Sequence, residues 1–169
     1  TLFHCWCHNP IATFSLCLLS RAYDLAFTLV KKFSELELTV GFLMQIDKLV
    51  HLLESPIFVH LRLQLLDVEA PHHTHLLKSC YGLLMLLPQS DAFRSLNHRL
   101  ATVCNLRDNL GVRPPVKASP LGGVEVDDEA GMFQVGGLEL TVLVGRFDEV
   151  MELHRCARRD VQLTNAVLK

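Results

Sequence analysis

Near the start of the chain, His4-Cys5-Trp6-Cys7-His8 sets two thiols one residue apart, each beside an imidazole. Thiolate and imidazole are the usual ligands of zinc, so these donors would suit a small metal-binding or redox module. A closed structural site needs four ligands, commonly drawn from two separated clusters. A second histidine cluster does exist, His72-His73-Thr74-His75, but it falls between two predicted helices, where a solvated loop is expected. The residues that follow the cysteines, Asn9-Pro10, spell something else: a side-chain acceptor and then proline at a first helical position. The helix start is the better reading, with no metal and no other cofactor; the Cys/His zinc module stands as the alternative.

Other chemistries fail on their motifs. The chain has no G-x-S-x-G elbow, no G-x-x-x-x-G-K-[ST], no H-E-x-x-H and no kinase H-R-D set. "NHRL", at 97–100, begins like the last of these and then continues with leucine. A Cys-x₅-Arg phosphatase loop needs arginine six positions after a cysteine. The residues found there are Ile11, Thr13, Tyr23, Leu86, Leu110 and Gln162. Asp148, Glu149 and Glu152 share one helical stretch, as the wet face of an amphipathic helix would. No nucleophile is in place, and the chain reads as no enzyme.

Bulk composition points the same way. Half of the 169 residues are hydrophobic, and sixteen basic against eighteen acidic side chains leave a net charge of −2. That balance gives no footprint for nucleic acid or for an anionic membrane. A strongly apolar, weakly charged domain has to hide its surface against a protein partner or more of the same chain. The first residue is Thr1, as expected of a fragment with an upstream neighbour. The uncharged opening contains only a short apolar run, Ile11 to Leu19, far below the roughly 20 residues of a membrane span. No basic stretch precedes it, so it is not a signal peptide. A soluble chain is expected, and with Cys17 and Cys80 inside apolar runs, a reducing, cytosolic compartment.

Helix-start signals organise the first hundred residues. Ser20 precedes an apolar-periodic run from Ala22 to Phe33, and Thr39 precedes Val40 to Leu53. Ser55-Pro56 precedes a run to Val68, Pro71 precedes His75 to Leu87, and Ser90-Asp91 precedes Ala92 to Leu100. The starts recur about every seventeen residues, so two helices occupy roughly 34, the length of a helical-hairpin repeat. Short connections make neighbours antiparallel. The expected fold is all-α: three antiparallel hairpins over residues 10–101, stacked as a HEAT/armadillo-like α-solenoid. "VHLRLQL" (59–65) alternates like a strand and "YGLLMLLP" (81–88) is continuously apolar, but their flanking prolines favour helices. Both would be apolar around much of their girth, hence central or covered by a partner.

Composition shifts after Cys104. Residues 105–137 gather Pro, Gly and the acidic run Asp127-Asp128-Glu129, the make-up of a disordered linker. Structure is expected to return at Leu138. Leu140, Leu143, Phe147, Val150, Met151 and His154 then recur at threes and fours in an amphipathic helix over 138–169, with arginines toward its C-terminal end. The predicted organisation is a helical-repeat domain over 1–104, a linker over 105–137 and a terminal helix and tail over 138–169.

Three blocks carry a resemblance: "WCHNP…FSLCLLS", "ELTV…FL…DKLVHLLESPIFVHLRLQLLDVE" and "YGLLMLLPQSDAFRSLNHRL". Along residues 5–100 the chain resembles the C-terminal domain of the vacuole-morphology scaffold family, which organises phosphatidylinositol 3,5-bisphosphate metabolism. The final helix is similar more loosely, through Leu143, Phe147 and Val150. Residues 105–137 do not match, and "APHHTH" departs from the family's shorter connection. The resemblance implies a HEAT-like helical solenoid without catalytic activity that self-associates and binds two enzymes. One is the PIKfyve-type lipid kinase that makes phosphatidylinositol 3,5-bisphosphate; the other is the Sac-family 5-phosphatase that removes the 5-phosphate. It further implies work on the cytosolic face of endosome and vacuole or lysosome membranes, with lipid engaged by the partners.

Aromatic side chains and arginine are enriched at interface hot spots. On the helix Pro56–Asp67 and the stretch Tyr81–Gln89, Phe58, Arg62, Tyr81 and Met85 are therefore the candidate partner anchors, and core packing competes for Phe58 and Met85. Arg62, a long cation amid leucines, is expected to snorkel or to meet a carboxylate. Leu140, Leu143, Phe147 and Met151 line one stripe of the terminal helix. That stripe serves either self-association with a second copy or a cap folded back on the solenoid end.

Overall fold

A computed structural model describes residues 2–36, 38–111, 134–135 and 138–167. Its helices are α1 (Leu2–Trp6), α2 (Pro10–Leu19), α3 (Tyr23–Phe33), α4 (Val40–Leu53), α5 (Val59–Leu66), α6 (His73–Leu86), α7 (Asp91–Asn109) and α8 (Leu140–Val167). The architecture is all-α. Among the described residues the one extended element is a two-residue antiparallel pairing, Gln134–Val135 with Leu138–Glu139, just before α8.

Three predicted starts are made by the residues named for them. Asn9 Oδ1 accepts from the amides of Ile11 (3.0 Å) and Ala12 (3.1 Å), with Pro10 opening α2. Thr39 accepts from Phe42 N (3.2 Å) and Ser90 from Phe93 N (3.3 Å). The Ser90 hydroxyl also donates to Asp47 (2.8 Å), fastening the start of α7 to α4. Each bond satisfies an amide that the first helical turn leaves without a partner.

Other starts and stops differ from expectation. Ser20 closes α2 instead of opening α3: its hydroxyl donates to the Cys17 carbonyl (3.3 Å), and Arg21 turns the chain at φ 60°. Ser55 makes no cap bond; Pro56–Phe58 form a 3₁₀ turn, and the helix after it stops at Leu66. The helix α7 runs on to Asn109, so residues 105–109, assigned to the linker by composition, are helical. It ends at Gly111, whose φ of 67° supplies the left-handed stop. The rest of the predicted linker falls at 112–133 and 136–137, outside the described residues.

Packing groups α2, α4 and α7 in one row and α3 with α6 in another; α2 meets α3, and α6 meets α7, between the rows. The hairpins α2–α3 and α6–α7 are therefore packed neighbours. The middle one is irregular, since α4 meets the next segment largely through the 3₁₀ turn. At eight residues, about 12 Å, α5 is too short to separate α3 from α6. Those two helices pack directly, although they belong to the first and third predicted hairpins. Phe33 sits at the centre: fully buried, its ring is 5.9 Å from Phe14, 5.6 Å from Phe42 and 6.4 Å from Phe147.

Among the described residues no single helix is long and apolar enough to cross a membrane. Only α4 together with Pro56–Leu66 approaches the length, and the two are bent apart by 70°.

The contact between α3 and α6 depends on Gly82. A methyl group there would sit 2.1 Å from Cγ1 of Val30. Val30 is β-branched and held near one rotamer within a helix, so relief requires parting α3 from α6. Overpacking costs about 1–3 kcal/mol, against the roughly 1 kcal/mol that Ala gains over Gly in a helix. The net cost of up to about 2 kcal/mol means that Gly82→Ala is expected to lower the melting temperature by up to about 8 °C. Gly145→Ala, whose methyl meets nothing within 4 Å, should hold or raise it. Parallel thermal melts decide, and equal shifts for the two would contradict the close approach.

Candidate interaction surface

The residues that suggested metal or redox chemistry are scattered between core and surface. Cys7 packs in the core, His4 and Cys5 lie exposed, and His8 Nδ1 meets His154 Nε2 at 3.0 Å. Among the described residues no three His, Cys, Asp or Glu side chains converge as a ligand set. Cys17 and Cys80 are buried, and burial pushes both thiols up to about 12. They stay protonated at neutral pH and pack as small apolar groups rather than serving as nucleophiles.

The cluster at 72–75, expected as a solvated loop, instead opens α6 and fastens it to its neighbours. Buried His73 bonds through Nε2 to the Leu65 carbonyl (3.1 Å), which makes that nitrogen the donor. Burial lowers its basicity, which favours the neutral ring. His75 pairs with Asp24 (2.9 Å), and His72 lies against the ring of Tyr23, whose hydroxyl donates to Gln64. The carboxylates of α8 lie on its wet side: Asp148 pairs with Lys32 (3.1 Å), Glu149 with Arg146 (3.0 Å) and Glu152 with Arg155 (3.1 Å). At this exposure such pairs are worth at most about 1 kcal/mol each.

The four partner anchors divide. Phe58 is buried, stacked beside His60, and is a core residue; the 3₁₀ turn points it inward. Among the described residues Arg62 meets no carboxylate. Its guanidinium donates to the carbonyls of Leu53 (2.6 Å) and Ser55 (2.7 Å), closing the C-terminal end of α4 where the chain bends. Tyr81 and Met85, four residues apart on α6, do face outward, Met85 being 88% exposed. The Tyr81 hydroxyl lies 3.0 Å from the Cys104 thiol; that bond, with burial second, holds it above the usual phenol range.

A separate strip, on α5, is singled out by no anchor rule. Val59, Leu63 and Leu66, spaced for one helical face, are exposed along α5, with Ile57 exposed on the preceding turn. Leu61 and Leu65 occupy the buried face of the same eight residues. The signal for this strip was a helix apolar on every side. Contiguous exposed apolar surface of this kind marks an interaction site.

The stripe assigned to self-association is spent inside the chain. Leu143, Phe147 and Met151 are buried and Leu140 is half-buried, packed on the core, with α8 against α1 and α3. In this structure the terminal helix packs on the core of its own chain.

Residues 1–103 match the family described as vacuolar protein 14 C-terminal Fig4p binding. The chain is 52% identical over 109 residues to the protein VAC14 homolog of Schizosaccharomyces pombe, covering 64% of this chain and 13% of that protein. It is 41% identical over 164 residues to the homolog of Arabidopsis thaliana, covering 91% of this chain and 22% of that protein. With the vacuole morphology and inheritance protein 14 of Saccharomyces cerevisiae it shares 45% over 100 residues, 59% of this chain and 11% of that protein. The chain thus spans only 11% to 22% of the length of these relatives. No solved structure matches.

Proposed function

Because this chain belongs to the vacuolar protein 14 C-terminal Fig4p-binding family, we propose that it is a non-catalytic scaffold segment. It holds a Sac-family phosphoinositide 5-phosphatase, the partner that the family's description names as Fig4p. The observation that carries this reading is the family match over residues 1–103, the same residues that present the apolar faces of α5 and α6.

The wider assembly follows from the same reading. A PIKfyve-type phosphatidylinositol 3-phosphate 5-kinase is held alongside the phosphatase, with copies of the scaffold self-associating. Tethering opposed enzymes raises the effective concentration of each at one patch of lipid, so synthesis and turnover of phosphatidylinositol 3,5-bisphosphate are regulated together. The work takes place on the cytosolic face of endosome and vacuole or lysosome membranes, which the scaffold reaches through its partners. Self-association then uses surfaces other than the buried stripe of α8.

The exposed residues of α5 and α6 form the contact face, with Tyr81, Met85 and Leu63 as anchors. Introducing charge there leaves the core intact while desolvating badly against an apolar partner. The double substitution Tyr81→Asp, Met85→Asp is expected to cut capture of the phosphatase by about tenfold or more, with the melting temperature little changed. Undiminished capture by this variant and by Leu63→Asp would remove this face from the proposal.

A further inference from the structure

An open cleft of about 660 Å³ lies where the turn between α1 and α2, the connection from α3 to α4, and α8 come together. We infer that this cleft receives an acidic, apolar segment of the phosphatase, an inference that rests on the scaffold reading above.

The chemistry of the walls selects the occupant. Leu36, Phe42 and Met151 give it an apolar lining, Arg158 gives it a permanent cation, and the hydrogen-bonded pair His8 and His154 adds polar ring nitrogens. Among the described residues no carboxylate lines it, in a chain with more acidic than basic residues. Two helices of ten and fourteen residues, α2 and α4, both begin here, since Pro10 and Gly41 line the cleft. Each N-terminus carries about half a positive charge, normally complemented by Asp or Glu in the first turn. Neither helix has an acidic residue there. The volume accommodates several side chains, and an open trough between helices suits a short segment laid along it. Positive potential with an apolar lining is matched by carboxylates interspersed with apolar side chains.

The cleft is composite. His154, Ala157 and Arg158 come from α8, and the bond between His8 and His154 joins that helix to the turn before α2. It therefore exists only while α8 is docked. This second contact would lock the terminal helix and the phosphatase together, coupling cap docking to partner binding.

The test uses the whole chain with the purified phosphatase. Arg158→Glu is expected to weaken capture about tenfold, and Arg158→Lys to restore most of it. Added salt should weaken the unaltered chain more than the Arg158→Glu variant. A photo-crosslinking amino acid in place of Ala157 should join to a phosphatase segment containing Asp or Glu. Capture of the phosphatase by Arg158→Glu at full strength, or an adduct with lipid, the kinase or a second copy, would overturn the assignment of the cleft alone. Absence of any capture by the unaltered chain would sink the scaffold reading and this inference with it.

Discussion

Phe147→Ala is expected to release α8 from the helical core while α2 to α7 remain folded. The ring of Phe147 is 1% exposed and 6.4 Å from that of Phe33, at the middle of the buried stripe Leu143, Val150 and Met151. Truncating a buried Phe to Ala costs about 3–5 kcal/mol. Beyond this stripe, α8 is tied to the rest of the chain by exposed polar contacts, Lys32 with Asp148 and His8 with His154. Each of these is worth at most about 1 kcal/mol, too little to hold the helix once the stripe is broken. Hydrogen exchange should therefore show amides around 143–155 losing protection while those of α6 keep theirs. Light scattering should show no smaller assembly, because the stripe's packing is within one chain. A drop in oligomer mass with α6 unaffected would restore the self-association role of Leu140, Leu143, Phe147 and Met151.

Phe33→Ala should act on the whole domain. This side chain is fully buried and its ring meets aromatic rings from α2, α4 and α8, so truncation opens a cavity shared by four helices. The cost is again about 3–5 kcal/mol, a large share of the 5–15 kcal/mol by which domains are typically stable. At about 2–4 °C per kcal/mol for a chain of this size, the melting temperature should fall by roughly 6–20 °C. Phe33→Leu, which keeps most of the volume, should lose far less. A fall below about 3 °C for the alanine variant would mean that the helices do not converge on this ring.

What the sequence disclosed was chemistry local to the backbone. Asn9-Pro10, Thr39 and Ser90 open helices because a side-chain acceptor next to a free amide works the same way in any fold. Ser20 misled because its hydroxyl can serve the helix before it as readily as the helix after it, and the positive φ of Arg21 settles the matter. Orientation was not legible. "VHLRLQLL" carries apolar residues on every side, so nothing in it distinguishes Leu61 and Leu65, which turn inward, from Leu63 and Leu66, which turn out. By residue type alone Arg62 is an anchor that snorkels or meets a carboxylate. Its acceptors are backbone carbonyls, which leave no signature in the sequence. Nor could spacing show that His8 meets His154, which lies 146 residues away.

The most direct measurement is the mass of the particle formed when this chain and the Sac-family phosphatase are purified together. A single stable complex containing both, formed by the unaltered chain and lost with Tyr81→Asp, Met85→Asp, is the expected result. Two separate species, each at its own mass, would contradict the scaffold.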